Sequence, residues 1–221
     1  MQRLVIFDLD HTLLAGDSDV EWPRFLIKRG ILDAATTQRQ NDAFYEQYKA
    51  GTLNMDEFLA FSLAPLARFT MDELATLHAD YMAEHILPII TAKARELVAG
   101  HKAQGDLVMI ITATNRFVTS PIADELGIEH LIATEAEVVE GRYTGKPTGI
   151  PSFQAGKITR LEHWLAERER TLDDFDETWF YSDSKNDLPL LERVTHPVAV
   201  NPDTMLKAVA EEQGWPIIHT H

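Results

Sequence analysis

The chain has 221 residues, 45% of them hydrophobic and 25% charged, which suits a globular protein built as one large domain or as a core with a smaller insertion. Its formal net charge of −15 opposes nucleic acid and anionic membranes, and the absence of cysteine excludes disulfides, thiolate catalysis and cysteine-ligated metals. No apolar run nears the roughly 20 residues of a membrane span, and a strand beginning by Leu4 leaves no room for a basic leader, so the expected location is the cytoplasm.

Leu4, Val5, Ile6 and Phe7 form an unbroken apolar run that ends in Asp8. Such a run fits a strand buried on both faces, as in a parallel sheet. Similar runs follow at residues 107–111 and 179–181, with weaker ones at 131–133 and 197–200. Helical patterns lie between them. Ala94, Leu97, Val98 and His101 share a face after Thr91, an N-cap residue, and Gly105 closes that segment. Ile158, Leu161 and Leu165 share a face ahead of the strand at 179. The alternation predicts an α/β fold, a Rossmann-like doubly wound parallel sheet.

One interval breaks the rhythm. Residues 15–90 hold no convincing strand, only amphipathic helical patterns with capping boxes at Asn54/Glu57 and Thr70/Glu73. Phe58, Leu59, Leu63 and Leu66 make one apolar stripe. A crossover needs far fewer residues, so the expected organisation is a core of 1–14 and 91–221 with an inserted all-helical cap, 15–90. Glu140-Gly141, between short alternating runs, reads as the turn of a small β-hairpin.

In an open α/β sheet, ligands bind beyond the carboxyl ends of the strands. Those ends carry Asp8 and Asp10, then Thr112, Ala113, Thr114 and Asn115, then Asp183, Asn186 and Asp187, with Lys157 opening the helix before the last set. This group suits phosphoryl transfer to a carboxylate. Asp8 would attack phosphorus and Asp10 would serve as acid and base. Mg2+ held by Asp8, Asp10, Asp183 and Asp187 would neutralise the charge of an anion attacking an anion. Lys157 would balance the remaining charge, and Thr112 would donate to a phosphoryl oxygen.

"DLDHT", "ITATN", a downstream lysine and "SDSKND", in that order, resemble the four motifs of the haloacid-dehalogenase-like hydrolase superfamily. The helical insertion resembles the C1 cap of its phosphoserine-phosphatase-like subfamily. The likeness spans residues 8 to 187 and implies a Mg2+-dependent phosphatase acting on a small phosphorylated metabolite. Two departures stand out: His11 where members often have glycine, and Ser182 and Ser184 where they have "GDG".

Other candidates for substrate contact are His11, Ala113, Thr114, Asn115 and Asn186, with Asp17, Asp19, Trp22 and Arg24 at the start of the cap. Asp17 and Asp19 could pair with an ammonium or imidazolium and Trp22 could stack on a flat ring; a charged first helical turn is the plain alternative. The subfamily likeness implies phosphoserine or histidinol phosphate, and the acidic start of the cap favours the latter. A phosphoserine enzyme needs an arginine for the substrate carboxylate, for which Arg24, Arg29, Arg39 and Arg68 are candidates. The same residues could pass the phosphoryl group to an alcohol. A non-catalytic Mg2+-binding module would be expected to lack one of Asp8, Asp10, Lys157 or Asp183, and all four are present. The scattered histidines at 78, 85, 101, 130, 163 and 196 read as surface or core residues, and His219 and His221 as a frayed tail.

Overall fold

The computed structural model describes residues 2–221. Strands β1 (Arg3–Phe7), β2 (Leu107–Asn115), β3 (His130–Val139), β4 (Arg142–Thr148), β5 (Glu177–Ser182), β6 (His196–Val200) and β7 (Ile217–Ile218) form one sheet in the order β4-β3-β2-β1-β5-β6-β7. Every pairing is parallel except β3 with β4. β1 lies at the centre, with Phe7 opposite Ile110 of β2 and Tyr181 of β5. The doubly wound parallel sheet expected from the apolar runs is therefore the observed fold.

Alternation within β1 explains why its whole run is apolar. Leu4 and Ile6 belong to a core with Met109, Ile111, Phe180, Leu161 and Leu165, whereas Val5 and Phe7 face a second core with Ile110, Val98 and the helices of the insertion. All four are fully buried, each contributing about 1.5–3 kcal/mol of transfer free energy.

The inserted segment holds α1 (Ser18–Lys28), α2 (Ala34–Ala50), α3 (Met55–Leu63) and α4 (Met71–Tyr81), with a 3-10 turn between α3 and α4 and a π turn and a further 3-10 turn after α4. Leu14 and Ile90 pair in an isolated antiparallel bridge at its base. Thr70 makes a complete capping box with Glu73. At Asn54 only half of the expected box forms: its side chain accepts from the Glu57 amide, while its own amide donates to Gln47 Oε1. A residue of α2 has taken the place assigned to Glu57. The predicted stripe holds, with Leu59, Leu63 and Leu66 buried and Phe58 partly so.

The rest of the chain forms α5 (Ala92–Ala103), α6 (Arg116–Glu125), α7 (Ala155–Ala166), α8 (Leu188–Leu191) and α9 (Thr204–Gln213). The hairpin turns at Glu140 and Gly141, both with positive φ, 50° and 74°, as two-residue hairpin turns require. Its β4 arm passes against the insertion, where Gly145 lies close to the backbone of Ala64. Among the described residues no helix is long and apolar enough to cross a membrane.

Candidate active site

A cavity of about 550 Å3 opens between the carboxyl ends of β1, β2 and β5 and the insertion. Asp8 continues β1, its amide donating to the Tyr181 carbonyl at 2.9 Å. The chain then turns sharply. The amides of Leu13 and Leu14 both donate to Leu9 O, and His11, with φ of 56°, donates to Gly16 O. His11 thus adopts the left-handed backbone that glycine takes without penalty and that histidine adopts more often than most residues, which accounts for this departure from the superfamily pattern. Its side chain is exposed and lines the cavity.

Lys157 brings the distant segments together. Its ammonium donates to Asp8 Oδ1 and to Asp187 Oδ2, each at 2.8 Å, and the residue is 3% exposed. It stands on the first turn of α7, which starts after Gln154, another left-handed residue (φ 49°) whose side chain donates to Asn186 Oδ1. Burial alone would lower the lysine pKa, but Asp187 and Asp8 outweigh it, and the ammonium is held more firmly than in water. Asp187 is further fixed by Ser182 Oγ at 2.7 Å. With Lys157 and Ser182 on one oxygen, Asp187 serves first as an anchor for the lysine.

Asp10 lies one turn on. Ser18 N donates to its Oδ1 at 2.6 Å and Thr114 Oγ1 to its Oδ2 at 2.8 Å. Burial, with Asp17 nearby, raises its pKa to about 6 despite those donors. Burial also raises Asp8 to about 7, with Lys157 opposing and Asp187 adding. Asp183, partly open to the cavity, is raised well above the usual range by burial and by Asp8 and Asp187. Among the described residues only its own amide reaches the Asp183 side chain.

Thr112, Ala113, Thr114 and Asn186 line the cavity, as do Asp17 and Asp19. Thr112 Oγ1 accepts from Thr114 N at 3.2 Å, and the buried Asn186 Nδ2 has no partner. Asp17 caps α1, accepting from the amides of Asp19 and Val20. Three expected contacts take other positions. Asn115 is buried and caps α6 through Val118 N. Arg24 is exposed and paired with Glu21, on the solvent side of α1. Trp22 packs in an aromatic cluster with Phe25, His78, Tyr81 and Phe117 and does not line the catalytic cavity. The faces presented by α1 and α6 decide all three, and spacing alone does not reveal them.

Residues that sequence reasoning did not single out also line the cavity, from α2 and α3 of the insertion and from the core. Tyr45 and Tyr48 of α2, Met55, Phe58, Phe153, Lys185 and Met205 all line it. Tyr48 OH and Ser184 Oγ are 2.8 Å apart, a contact between residues 136 positions apart. α2 is polar along most of its length and nothing in its pattern marks Tyr48; the serine in "SDSKND" is the one local hint.

A parallel sheet that gathers carboxylates, a buried lysine and hydroxyls at its carboxyl edge, beneath a helical cover, defines an α/β enzyme of the hydrolase type. The chain belongs to the haloacid dehalogenase-like hydrolase family, whose model matches residues 5–192, and it is a phosphatase. It is 51% identical over 220 residues to a histidinol-phosphatase of Neisseria meningitidis, covering 99% of each chain. It is 35% identical over 218 residues to a phosphoserine phosphatase of Mycobacterium tuberculosis, covering 96% of this chain and 68% of that one. Among solved structures, a protein with unknown function from Bordetella pertussis Tohama I matches over the whole of both chains with a TM-score of 0.95 and 47% identity. A substrate-bound phosphoserine phosphatase matches with a TM-score of 0.70 and 19% identity, covering 100% of this chain and 94% of that one, a likeness of fold alone.

Proposed function

We propose that the enzyme hydrolyses histidinol phosphate, with Asp8 as nucleophile and with Mg2+. The observation that carries the mechanism is Lys157, which holds Asp8 Oδ1 and Asp187 Oδ2 in one buried fork and leaves Asp8 Oδ2 toward a single weak donor, Thr12 Oγ1 at 3.4 Å. That oxygen attacks phosphorus, and the ester P–O bond breaks. The departing alkoxide takes a proton from Asp10, whose raised pKa suits an acid near neutral pH. Asp10 then takes a proton from the water that hydrolyses the aspartyl-phosphate, releasing phosphate and restoring Asp8. Thr112 and Asn186 supply donors to the phosphoryl oxygens.

The donor set fits Mg2+, which phosphatases of this family use in general. Asp183 has no side-chain partner and stands with Asp8 and Asp187 against the single buried ammonium of Lys157. Among the described residues no group of three or more His, Asp and Glu is set to hold a metal alone. Mg2+ does not need one, since it commonly binds through one or two carboxylates, waters and a substrate phosphate. Asp8, Asp183 and the Asp10 carbonyl would hold it. Bound there, it would neutralise charge on the phosphoryl oxygens.

Histidinol phosphate is favoured over phosphoserine on two grounds. The relative that matches end to end at 51% identity is a histidinol-phosphatase. No arginine lines the catalytic cavity: Arg24 pairs with Glu21, Arg29 with Asp80 and Glu84, Arg68 donates to the Ile31 carbonyl, and Arg39 is exposed. Within that cavity a substrate carboxylate would meet lysines and His11 but no arginine, and Arg68, which lines the adjoining cavity inside the insertion, already donates to the Ile31 carbonyl.

Phosphate release by wild type and Asp8→Asn, with and without Mg2+, tests the chemistry; equal rates for the two proteins would overturn the nucleophile. A panel of small esters tests the substrate. A preference for histidinol phosphate of ~100-fold, about 2.7 kcal/mol of transition-state binding, is expected.

A further inference from the structure

A second cavity, of about 320 Å3, lies inside the helical insertion. Its walls are mainly apolar, with Trp22, Pro23, Leu26 and Phe61, and it shares Asp19 and Phe58 with the catalytic cavity. We infer that this chamber receives the leaving group of the substrate, with Asp19 and Trp22 recognising a flat ring that carries one N–H and one bare nitrogen. The inference rests on the phosphatase reading above and extends it to the part of the ester remote from phosphorus.

Two unsatisfied groups carry the argument. The Asp19 carboxylate accepts no hydrogen bond among the described residues, although its neighbour Asp17 caps the helix. Trp22 is 3% exposed, and its Nε1–H has no acceptor. Asp19 is half-buried, within reach of water, whereas the Trp22 N–H is fully buried, and a buried polar group left unpaired costs about 1–3 kcal/mol. The chamber therefore offers the Asp19 carboxylate as an acceptor and the Trp22 N–H as a donor, with the unpartnered Ser62 hydroxyl and the polar side chains of Asp33, Gln40, Asn41 and Arg68 also on its walls. Neutral imidazole offers the complement, an N–H for the carboxylate and a bare nitrogen for the indole. Trp22 would then act by its edge and not by stacking, because Phe25 and Phe117 already pack against its ring. The phosphate would stay at Asp8 while the ring crosses the shared boundary at Asp19 and Phe58.

The test compares two esters, histidinol phosphate and ethanolamine phosphate, on wild type, Asp19→Asn and Trp22→Phe, with thermal melts to establish that each variant folds. The ratio of kcat/KM for the ring ester to that for the ring-less ester is expected to fall about tenfold or more in Asp19→Asn and about three- to tenfold in Trp22→Phe. A ratio unchanged in both variants overturns the chamber. Wild type that hydrolyses ethanolamine phosphate but prefers it to the ring ester overturns the chamber and leaves the phosphatase reading standing. Release from neither ester defeats that reading, and calorimetric binding of free histidinol then decides the chamber. Weaker binding by Asp19→Asn than by wild type supports it, and equal binding overturns it.

Discussion

Thr220 Oγ1 donates to the carbonyl of Thr12 at 2.9 Å, tying the end of the described chain to the loop that follows Asp8 and Asp10. Thr220 is 4% exposed, and its hydroxyl also accepts from Asn201 Nδ2, which donates to the His11 carbonyl as well. The Thr220 carbonyl in turn accepts from Thr91 Oγ1, the cap of α5. The expected frayed tail is at this residue a staple. Thr220→Val should lower kcat by about tenfold with a smaller change in KM, as a slight misplacement of reacting groups does. Thr220→Ser should restore it. Steady-state kinetics on the pair checks this, and equal losses in both variants would refute a role for the hydroxyl.

Gly156 immediately precedes Lys157, and a Cβ there would collide with the Pro151 carbonyl oxygen. Alanine for glycine inside a helix normally stabilises by about 0.5–1 kcal/mol. At this position the sign should reverse, to a loss of about 1–3 kcal/mol from overpacking. The start of α7 would have to shift, carrying Lys157 away from Asp8. A chemical melt and kcat measured on Gly156→Ala should therefore both fall; a more stable, fully active variant would contradict the packing described.

Lys157→Met removes the one cation shared by Asp8 and Asp187. Loss of a preorganised group at developing charge costs about 10²–10³ in kcat, and breaking a buried ion pair costs about 3–5 kcal/mol of stability. Both losses are expected. Lys157→Arg should not recover activity, because a planar guanidinium cannot replace a compact ammonium in the space between two buried carboxylates.

His78 is 4% exposed between α4 and α6, its Nε2 lying 3.0 Å from the Val118 carbonyl, with Trp22, Tyr81 and Phe117 around the ring and no charged group in contact. Burial lowers its pKa below the ordinary 6.5. The folded protein thus binds fewer protons at this site than the unfolded chain, and stability falls as pH drops below about 6.5. His78→Gln keeps a donor and loses the titration. Urea melts should show wild type losing ground to this variant between pH 8 and pH 5; a gap independent of pH would remove His78 as the cause.

The sheet was legible because both faces of β1, β2 and β5 are covered, which writes burial directly into unbroken apolar runs that stop at Asp8, Thr112 and Ser182. β7 is two residues long, too short for any pattern. α6 begins directly where β2 ends, with no loop between them, and contains Pro121, so neither its start nor its interior reads as a regular helix. The carboxylates and Lys157 could be placed because strand ends share one edge. Tyr48, Met205 and Phe153 reach the cavity through contacts between remote segments, which no local period records. Trp22 and Arg24 were read from proximity in the chain; the rotation of α1 turns Arg24 to solvent and sets Trp22 against the second cavity instead of the first.

The bridge between Leu14 and Ile90 has a consequence for how such enzymes diverge. The segment between them leaves and re-enters at adjacent points, so its length hardly affects the register of β1 with β2, and doubling a flexible loop costs only about 0.6 kcal/mol in closure entropy. Mutation can remodel or exchange the covering helices as a unit while the phosphorus-handling edge stays fixed. Selectivity for a new alcohol can thus arise without rebuilding the chemistry beneath it.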